Sequence, residues 1–347
     1  MTPIDRALLR RIPKAELHCH LDGSVRATTL LELGRELGVP MPETTADALA
    51  HHMYVRDARH LADYLTRFDV TLGVMQSEHA IERISFELGE DAAADGVRYI
   101  EVRFAPVLNQ RLGLSLDAVV DASLRGLERA HAAHGIVGRL IICGLRHLSP
   151  DVSLELARLA VGYRGKGVVG FDLAGGEAGH PASVHRAAFE HAQAHGMLCT
   201  CHAGEGAGAD SVADAVHRCG AKRIGHGTRL IEDPRLTDEL ARDGVAIEIC
   251  LTSNVQTRAA KDYASHPLRA YFERGMRVTL NTDNRLMSGT TLTAEYAHAA
   301  DELGFSIGEL CMLARNGFES AFLPDDERRA LLAAAAPEFA ALTKVSA

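Results

Sequence analysis

The sequence predicts an α/β fold, a (β/α)8 barrel with a helical insertion after its first strand. Three observations predict it. Eight short β-like runs alternate with longer helical patterns. The chain, at 347 residues, is long enough to hold eight such units. One connection, the first, is far longer than the rest.

The eight runs span 15–20, 97–106, 137–146, 168–174, 198–202, 223–226, 245–252 and 277–283, and each ends in polar or glycine residues. Helical stretches at 116–134, 153–162, 183–196, 211–219 and 233–243 separate them. That alternation is the pattern of a parallel sheet covered by helices. Eight units favour a closed barrel over an open sheet. The open, doubly wound alternative binds its ligand where strand order reverses. No Gly-x-Gly-x-x-Gly follows the first run, so its dinucleotide-binding version has no support.

The long connection runs from 23 to 96, with helical patterns at 58–75 and 78–94. A connection of that length carries its own structure and a role. It leaves from the C-terminal face, where barrels place their active sites. Residues from about 24 to 96 are therefore expected to cap the pocket. No low-complexity tract, internal repeat or linker is visible, so 1–347 reads as a single domain with this embellishment.

Composition narrows the function classes. Hydrophobic residues make up 47% and charged residues 24%, the balance of a soluble globular protein. The formal net charge of −9 argues against a nucleic-acid partner held by its phosphates. It leaves a small phosphate-free ligand open. Seven cysteines show no paired spacing, and Cys19, Cys143, Cys199, Cys201 and Cys250 fall in apolar runs. They read as reduced core residues. The N-terminus lacks an apolar signal core, and no segment approaches the roughly 18 apolar residues of a membrane span. A cytoplasmic location without a membrane partner is expected; oligomeric state is not legible.

The chemistry concentrates at the strand ends. His18 and His20 sit at i and i+2 of the first run, so both imidazoles leave the same face. Eighteen histidines in 347 residues give about one His-x-His by chance, so the pair alone decides nothing. Position changes that. His202, His226 and Asp283 end the fifth, sixth and eighth runs, and barrel strand ends converge on one rim. Imidazole nitrogens with a carboxylate suit zinc. Other histidines (His131, His134, His185 and His191) fall on helical stretches and read as solvated. Glu205 follows His202 across a glycine-containing turn. It suits a proton-transfer group beside a metal, or alternatively a helix N-terminus stabilised by an acid. Arg103 and Arg146 read as members of a structural ion-pair network. Ser253 and Asn254 either line the pocket or cap the segment after them.

The segments PKAELHCHLDGS, VRYIEVRFAP, GVVGFDLAGGE, CHAGEGAG, RIGHGTRL, TSNVQT and VTLNTDN, in that order over 13–322, resemble the adenosine deaminase family of metal-dependent hydrolases. The resemblance implies a zinc-dependent hydrolase with one Zn2+ per chain, held by His18, His20, His202 and Asp283. It implies Glu205 as the acid that protonates purine N1, and His226 as the residue that orients or deprotonates the attacking water. It implies Asp22 as a ribose-binding carboxylate, and Gly175 as a backbone N–H donor to N3. Zinc acidifies water; attack falls on C6 and ammonia leaves. A neutral Glu205 serves this chemistry, so its pKa is expected to be raised. The implied substrate is a small-molecule nucleoside, adenosine or 2′-deoxyadenosine. Adenine and aminodeoxyfutalosine, substrates of similar bacterial enzymes, are the alternatives.

Two positions depart from the family pattern. Asn284 stands where a second Asp usually contacts N7, and Gly176 where an acid is common. An Asn amide donates to N7 at any pH, whereas an Asp must first be protonated. Rival readings fare worse. A two-metal barrel hydrolase needs a Lys ending the fourth run, which here reads FDLAGG. A cytidine-deaminase-type enzyme needs His-x-Glu and Pro-Cys-x-x-Cys, and neither occurs. A catalytically inactive nucleoside-binding or signalling barrel would not need Glu205 and His226 beside a complete ligand set.

Overall fold

Eight parallel strands form the centre of the molecule in a computed structural model, which describes residues 4–55 and 65–345. They are β1 (Lys14–His20), β2 (Val97–Phe104), β3 (Val137–Leu145), β4 (Val168–Ala174), β5 (Leu198–Ala203), β6 (Arg223–His226), β7 (Ala246–Ile249) and β8 (Val278–Leu280). They neighbour one another in chain order. β8 returns to β1 through a parallel bridge between Cys19 and Asp283. The His20 N–H donates to Asp283 O at 2.7 Å, and the Asp283 N–H to His18 O at 3.0 Å. The ring thus closes at the residues singled out for chemistry.

Parallel neighbours require crossovers, and helices supply them. Glu78–Ala94 starts at Ser77, whose side chain accepts from the Ala80 N–H; Leu116–His134 starts at Ser115 in the same way and ends on Gly135 at φ 74°. These two helices pack together more extensively than any other pair of elements. Gly126 permits it, because a Cβ there would lie 2.3 Å from Glu82 O. Glu78–Ala94 is therefore a member of the outer ring. The stretch before it, within the 24–96 expected as a cap, runs to residue 77. Within it stand the helices Ala27–Leu37, Ala46–Met53 and Phe68–Val74, while residues 58–64 of the expected helix at 58–75 lie outside the described residues. The segment is tied to the rim by the Val55 N–H donating to Met287 O at 3.0 Å.

Several boundaries differ from the sequence reading, such as the short β8, and two of the differences have a plain physical reason. The run at 245–252 stops as a strand at Ile249, and helix Leu251–Gln256 begins two residues later. An apolar run does not show by periodicity where strand passes into buried helix. The expected helix at 183–196 opens as a 3-10 turn, Ala182–His185, before Arg186–Ala194. That turn buries His185, read above as solvated. Its Nδ1 lies 2.8 Å from Ser153 Oγ and its Nε2 3.2 Å from Arg146 O.

The barrel interior is charged rather than purely apolar. Arg103 on β2 is fully buried and pairs with Asp172 of β4 at 3.0 Å and Glu248 of β7 at 2.9 Å. Arg223 on β6 pairs with Glu248 at 2.6 Å and with Glu101. Removing one partner from such a cluster strands a buried charge, at about 3–5 kcal/mol. Arg103 thus joins an ion-pair network as expected. Arg146 does not; it donates to the carbonyls of His180 and His202 at 2.5 Å each. All seven cysteines are buried and free. No helix among the described residues is long and apolar enough to cross a membrane.

Candidate active site

The strand ends deliver His18, His202, His226 and Asp283 to one point. One ligand atom from each lies within 4.8 Å of the others, and all four are buried. His20 joins the group. Its Nε2 is 3.1 Å from His202 Nε2 and 3.4 Å from Asp283 Oδ1. Five donors therefore surround one position, where the sequence reading has four ligands with His226 beside them.

The donor set fits a divalent metal on two further counts. The first is the backing of the rings. His18 Nδ1 meets Glu248 Oε2 at 2.9 Å, and His202 Nδ1 meets Asp172 Oδ2 at 3.0 Å. Carboxylates on Nδ1 place each ring proton there and leave the Nε2 lone pairs facing the centre. The second is that His18 Nε2 is buried without a hydrogen-bond partner, a state native interiors rarely leave unexplained. Electrostatics agree for two of the rings, while, against burial, the bonds with Asp283 and Glu248 raise His18. Burial holds the imidazoles of His20 and His202 below their usual range, so both are neutral. Burial opposes ionisation of Asp283, yet the hydrogen bond from His18 holds its carboxyl well below the usual range. Asp283 and His226 also adopt left-handed backbone, at φ 60° and 64°. Such strain in non-glycine residues gathers at functional sites.

Glu205 stands beside this cluster, with Oε2 3.6 Å from His226 Nε2. Burial, then the charges of Asp283 and Glu177, push its carboxyl well above its ordinary range, as neutral-acid chemistry requires. Asp22 follows β1 and is buried; burial pushes it up to about 7. Gly175 follows β4 on the same rim, at φ 92°, with the space for a Cβ facing His147 Nδ1 at 3.4 Å. The structure gives it no bond to the cluster. Asn284 packs against Gly23, where a Cβ would lie 1.7 Å from Asn284 Oδ1. Gly23→Ala is therefore expected to displace Asn284 and raise KM for a purine substrate about tenfold, the loss of one hydrogen bond of about 1.4 kcal/mol. Steady-state kinetics beside metal analysis checks it; an unchanged KM with full metal content would show that Asn284 does not face the ligand.

Several supporting residues are not singled out in the sequence. Asp172 and Glu248 back the histidines, and their signal is visible: each is a lone acid inside an apolar run. Glu177 accepts the backbone N–H groups of Gly204, Glu205, Gly206 and Ala207 at 2.6–3.1 Å, which fixes the turn carrying Glu205. The acid that binds this turn thus sits one place beyond Gly176. Ser253 donates to Asp283 Oδ2 at 2.6 Å, and Asn254 reaches His226 Nδ1 at 2.9 Å. Both hold site residues, and neither side chain caps its helix.

A closed parallel barrel with carboxylate-backed histidines and an acid at its C-terminal rim defines a metal-dependent hydrolase. The chain belongs to the adenosine deaminase family, whose model, described as Adenosine deaminase, matches residues 13–336. It is 43% identical over 351 residues to the adenosine deaminase of Mycolicibacterium vanbaalenii, covering 95% of this chain and 96% of that one. It is 42% identical over 317 residues to a probable adenosine deaminase of Dictyostelium discoideum, covering 91% of this chain but only 41% of that longer protein. Among solved structures, an adenine deaminase from Arthrobacter aurescens superposes with a TM-score of 0.88 at 27% identity, over 96% of this chain and 99% of that one. An amidohydrolase from Burkholderia ambifaria with bound Zn superposes with a TM-score of 0.89 at 28% identity, over 99% and 96%.

Proposed function

We propose that this chain hydrolyses the 6-amino group of an adenine nucleoside, adenosine and 2′-deoxyadenosine foremost, releasing ammonia and the inosine product. The carrying observation is a set of buried polar atoms without partners: His18 Nε2, Asp22 Oδ1 and Glu205 Oε1. Each such atom costs about 1–3 kcal/mol unless something binds it. Their proposed partners are, in turn, a metal, a ribose hydroxyl and purine N1.

His18, His20, His202 and Asp283 would hold one zinc ion, which when bound acidifies water near neutral pH. Glu205, neutral in its buried turn, gives its proton to N1. Protonated N1 lets the ring accept the electron pair as the water oxygen bonds to C6. The Glu205 carboxylate left behind accepts a proton from the water and passes it to the amine, which leaves as ammonia as the C6–N bond breaks; the C6 hydroxyl then returns its proton to Glu205 as the carbonyl forms. Asp22 orients the ribose, the Gly175 N–H meets N3, and the Asn284 amide turns its NH2 to N7. His226 orients the water. The turn around Glu205 is held by four backbone bonds, so the acid costs little to position when substrate arrives. We propose a single domain acting in the cytoplasm.

The free base is a less favourable substrate, because adenine offers nothing to a buried Asp22. The test is ammonia release by zinc-loaded protein from adenosine, 2′-deoxyadenosine, adenine and aminodeoxyfutalosine. A kcat/KM for adenosine of about 10⁴ M⁻¹s⁻¹ or more, well above that for adenine and aminodeoxyfutalosine, is expected. Preference for adenine would overturn the nucleoside assignment, and preference for the 5′-extended nucleoside would move the substrate while keeping the chemistry.

A further inference from the structure

Behind His226 lies a chain of buried groups whose hydrogen-bond direction is set at its far end. It begins at the backbone N–H of Leu268, which can only donate, and donates to His266 Nδ1 at 3.1 Å. That nitrogen therefore carries the lone pair, and the proton of the neutral ring sits on Nε2. His266 Nε2 lies 3.1 Å from Asn254 Oδ1, so the amide oxygen accepts. The amide orientation follows: Asn254 Nδ2 is the end that faces His226 Nδ1, at 2.9 Å, and it donates. His226 Nδ1 is then an acceptor, and the single ring proton of His226 sits on Nε2. This is the nitrogen that faces the site, 3.6 Å from Glu205 Oε2.

We propose that this relay locks His226 as an Nε2–H hydrogen-bond donor into the site, with Asn254 and His266 as its positioning residues. His226 then orients the attacking water by donating to its oxygen, and steadies the negative charge that grows there. It neither takes the water's proton through Nε2 nor ligates a metal through it, since both need a lone pair. The fifth donor of the cluster is thereby separated from the four ligands. The inference rests on the deaminase reading for the identity of the water, while the tautomer itself stands on the hydrogen bonds alone.

The relay is well insulated. His226, Asn254 and His266 are at most 3% exposed, so water does not compete for their protons. Burial pushes the His266 imidazole down to about 3. Each Nδ1 accepts a hydrogen bond, from the Leu268 N–H and from Asn254 Nδ2, so each ring carries its single proton on Nε2. The backbone of Asn254 is pinned by its N–H to Cys250 O and its carbonyl to the Ala260 N–H, both at 2.8 Å.

The zinc-loaded protein with 15N-labelled histidine tests this by NMR, with resonances assigned through His226→Gln and His266→Gln. Both His226 and His266 are expected to show a protonated Nε2 and a bare Nδ1; a protonated Nδ1 on His226 would overturn the relay. Asn254→Asp supplies the kinetic arm. A carboxylate there still accepts from His266 but demands a proton from His226 Nδ1, which reverses the His226 tautomer. Expected is a fall in kcat of about 100-fold or more with KM changed less than about threefold, whereas His266→Gln, which keeps a donor toward Asn254, retains most of kcat. An Asn254→Asp enzyme with normal kcat would also overturn the proposal. A wild-type protein that turns over no 6-aminopurine would sink the deaminase reading instead, and the NMR arm would still decide the tautomer.

Discussion

Glu205→Gln is expected to lose turnover by about 10²- to 10⁴-fold, the usual contribution of a positioned general acid, while gaining stability above neutral pH. Both effects have one cause. Burial, with Asp283 and Glu177 nearby, raises the carboxyl well above its ordinary value of 4.5. The folded protein therefore holds this proton more tightly than the unfolded chain. Below the unfolded pKa both states are protonated and the group costs nothing. As pH rises, the unfolded chain releases the proton first, so folding stability falls until the folded pKa is passed. A glutamine is neutral throughout and escapes that loss. Its amide can hold the place of the acid but cannot deliver its proton to N1. Thermal unfolding of metal-free wild type and variant at pH 4 and pH 8 checks the stability half. The Tm difference is expected to be near zero at pH 4 and positive at pH 8, at about 2 °C per kcal/mol. Ammonia release checks the other half. A variant that kept its kcat would remove Glu205 from the acid role, and one less stable at pH 8 would contradict the raised pKa.

The sequence made the rim legible and the layer beneath it opaque, for a reason of distance. His18 and His20 share a face by strand alternation, and His202, His226 and Asp283 each end a run. Strand ends converge in any barrel, so these residues needed no contact information. Asp172 lies 30 residues before His202, and Glu248 lies 230 after His18. Only closure of the ring brings each carboxylate under its histidine. The burial of His185 is invisible in the sequence because helical periodicity does not reveal a 3-10 turn that rolls one residue inward. Glu78–Ala94 looks alike in sequence as insertion or as outer helix; Gly126, which admits it against Leu116–His134, is the distinguishing feature. Asn254 stayed undecided between pocket and cap because its partner His266 is twelve residues away on an irregular segment.

Removing the metal is expected to abolish turnover, and two variants should separate the ligands from their supports. In His202→Ala a ligand is gone, so activity should stay lost at any zinc concentration. In Asp172→Asn the ligand remains, but its Nδ1–H faces an amide oxygen in place of a carboxylate. Second-layer changes of this kind weaken metal affinity by about 10- to 100-fold. Excess zinc should therefore restore most of the activity of Asp172→Asn and none of that of His202→Ala. The fold should survive, because Arg103 keeps Glu248 at 2.9 Å when Asp172 loses its charge. Metal content after dialysis against a chelator, followed by ammonia release during zinc titration, makes the comparison. Equal rescue of both variants would mean that His202 is no ligand. Failure to rescue Asp172→Asn at full metal occupancy would give Asp172 a role in the reaction itself, beyond holding the His202 ring.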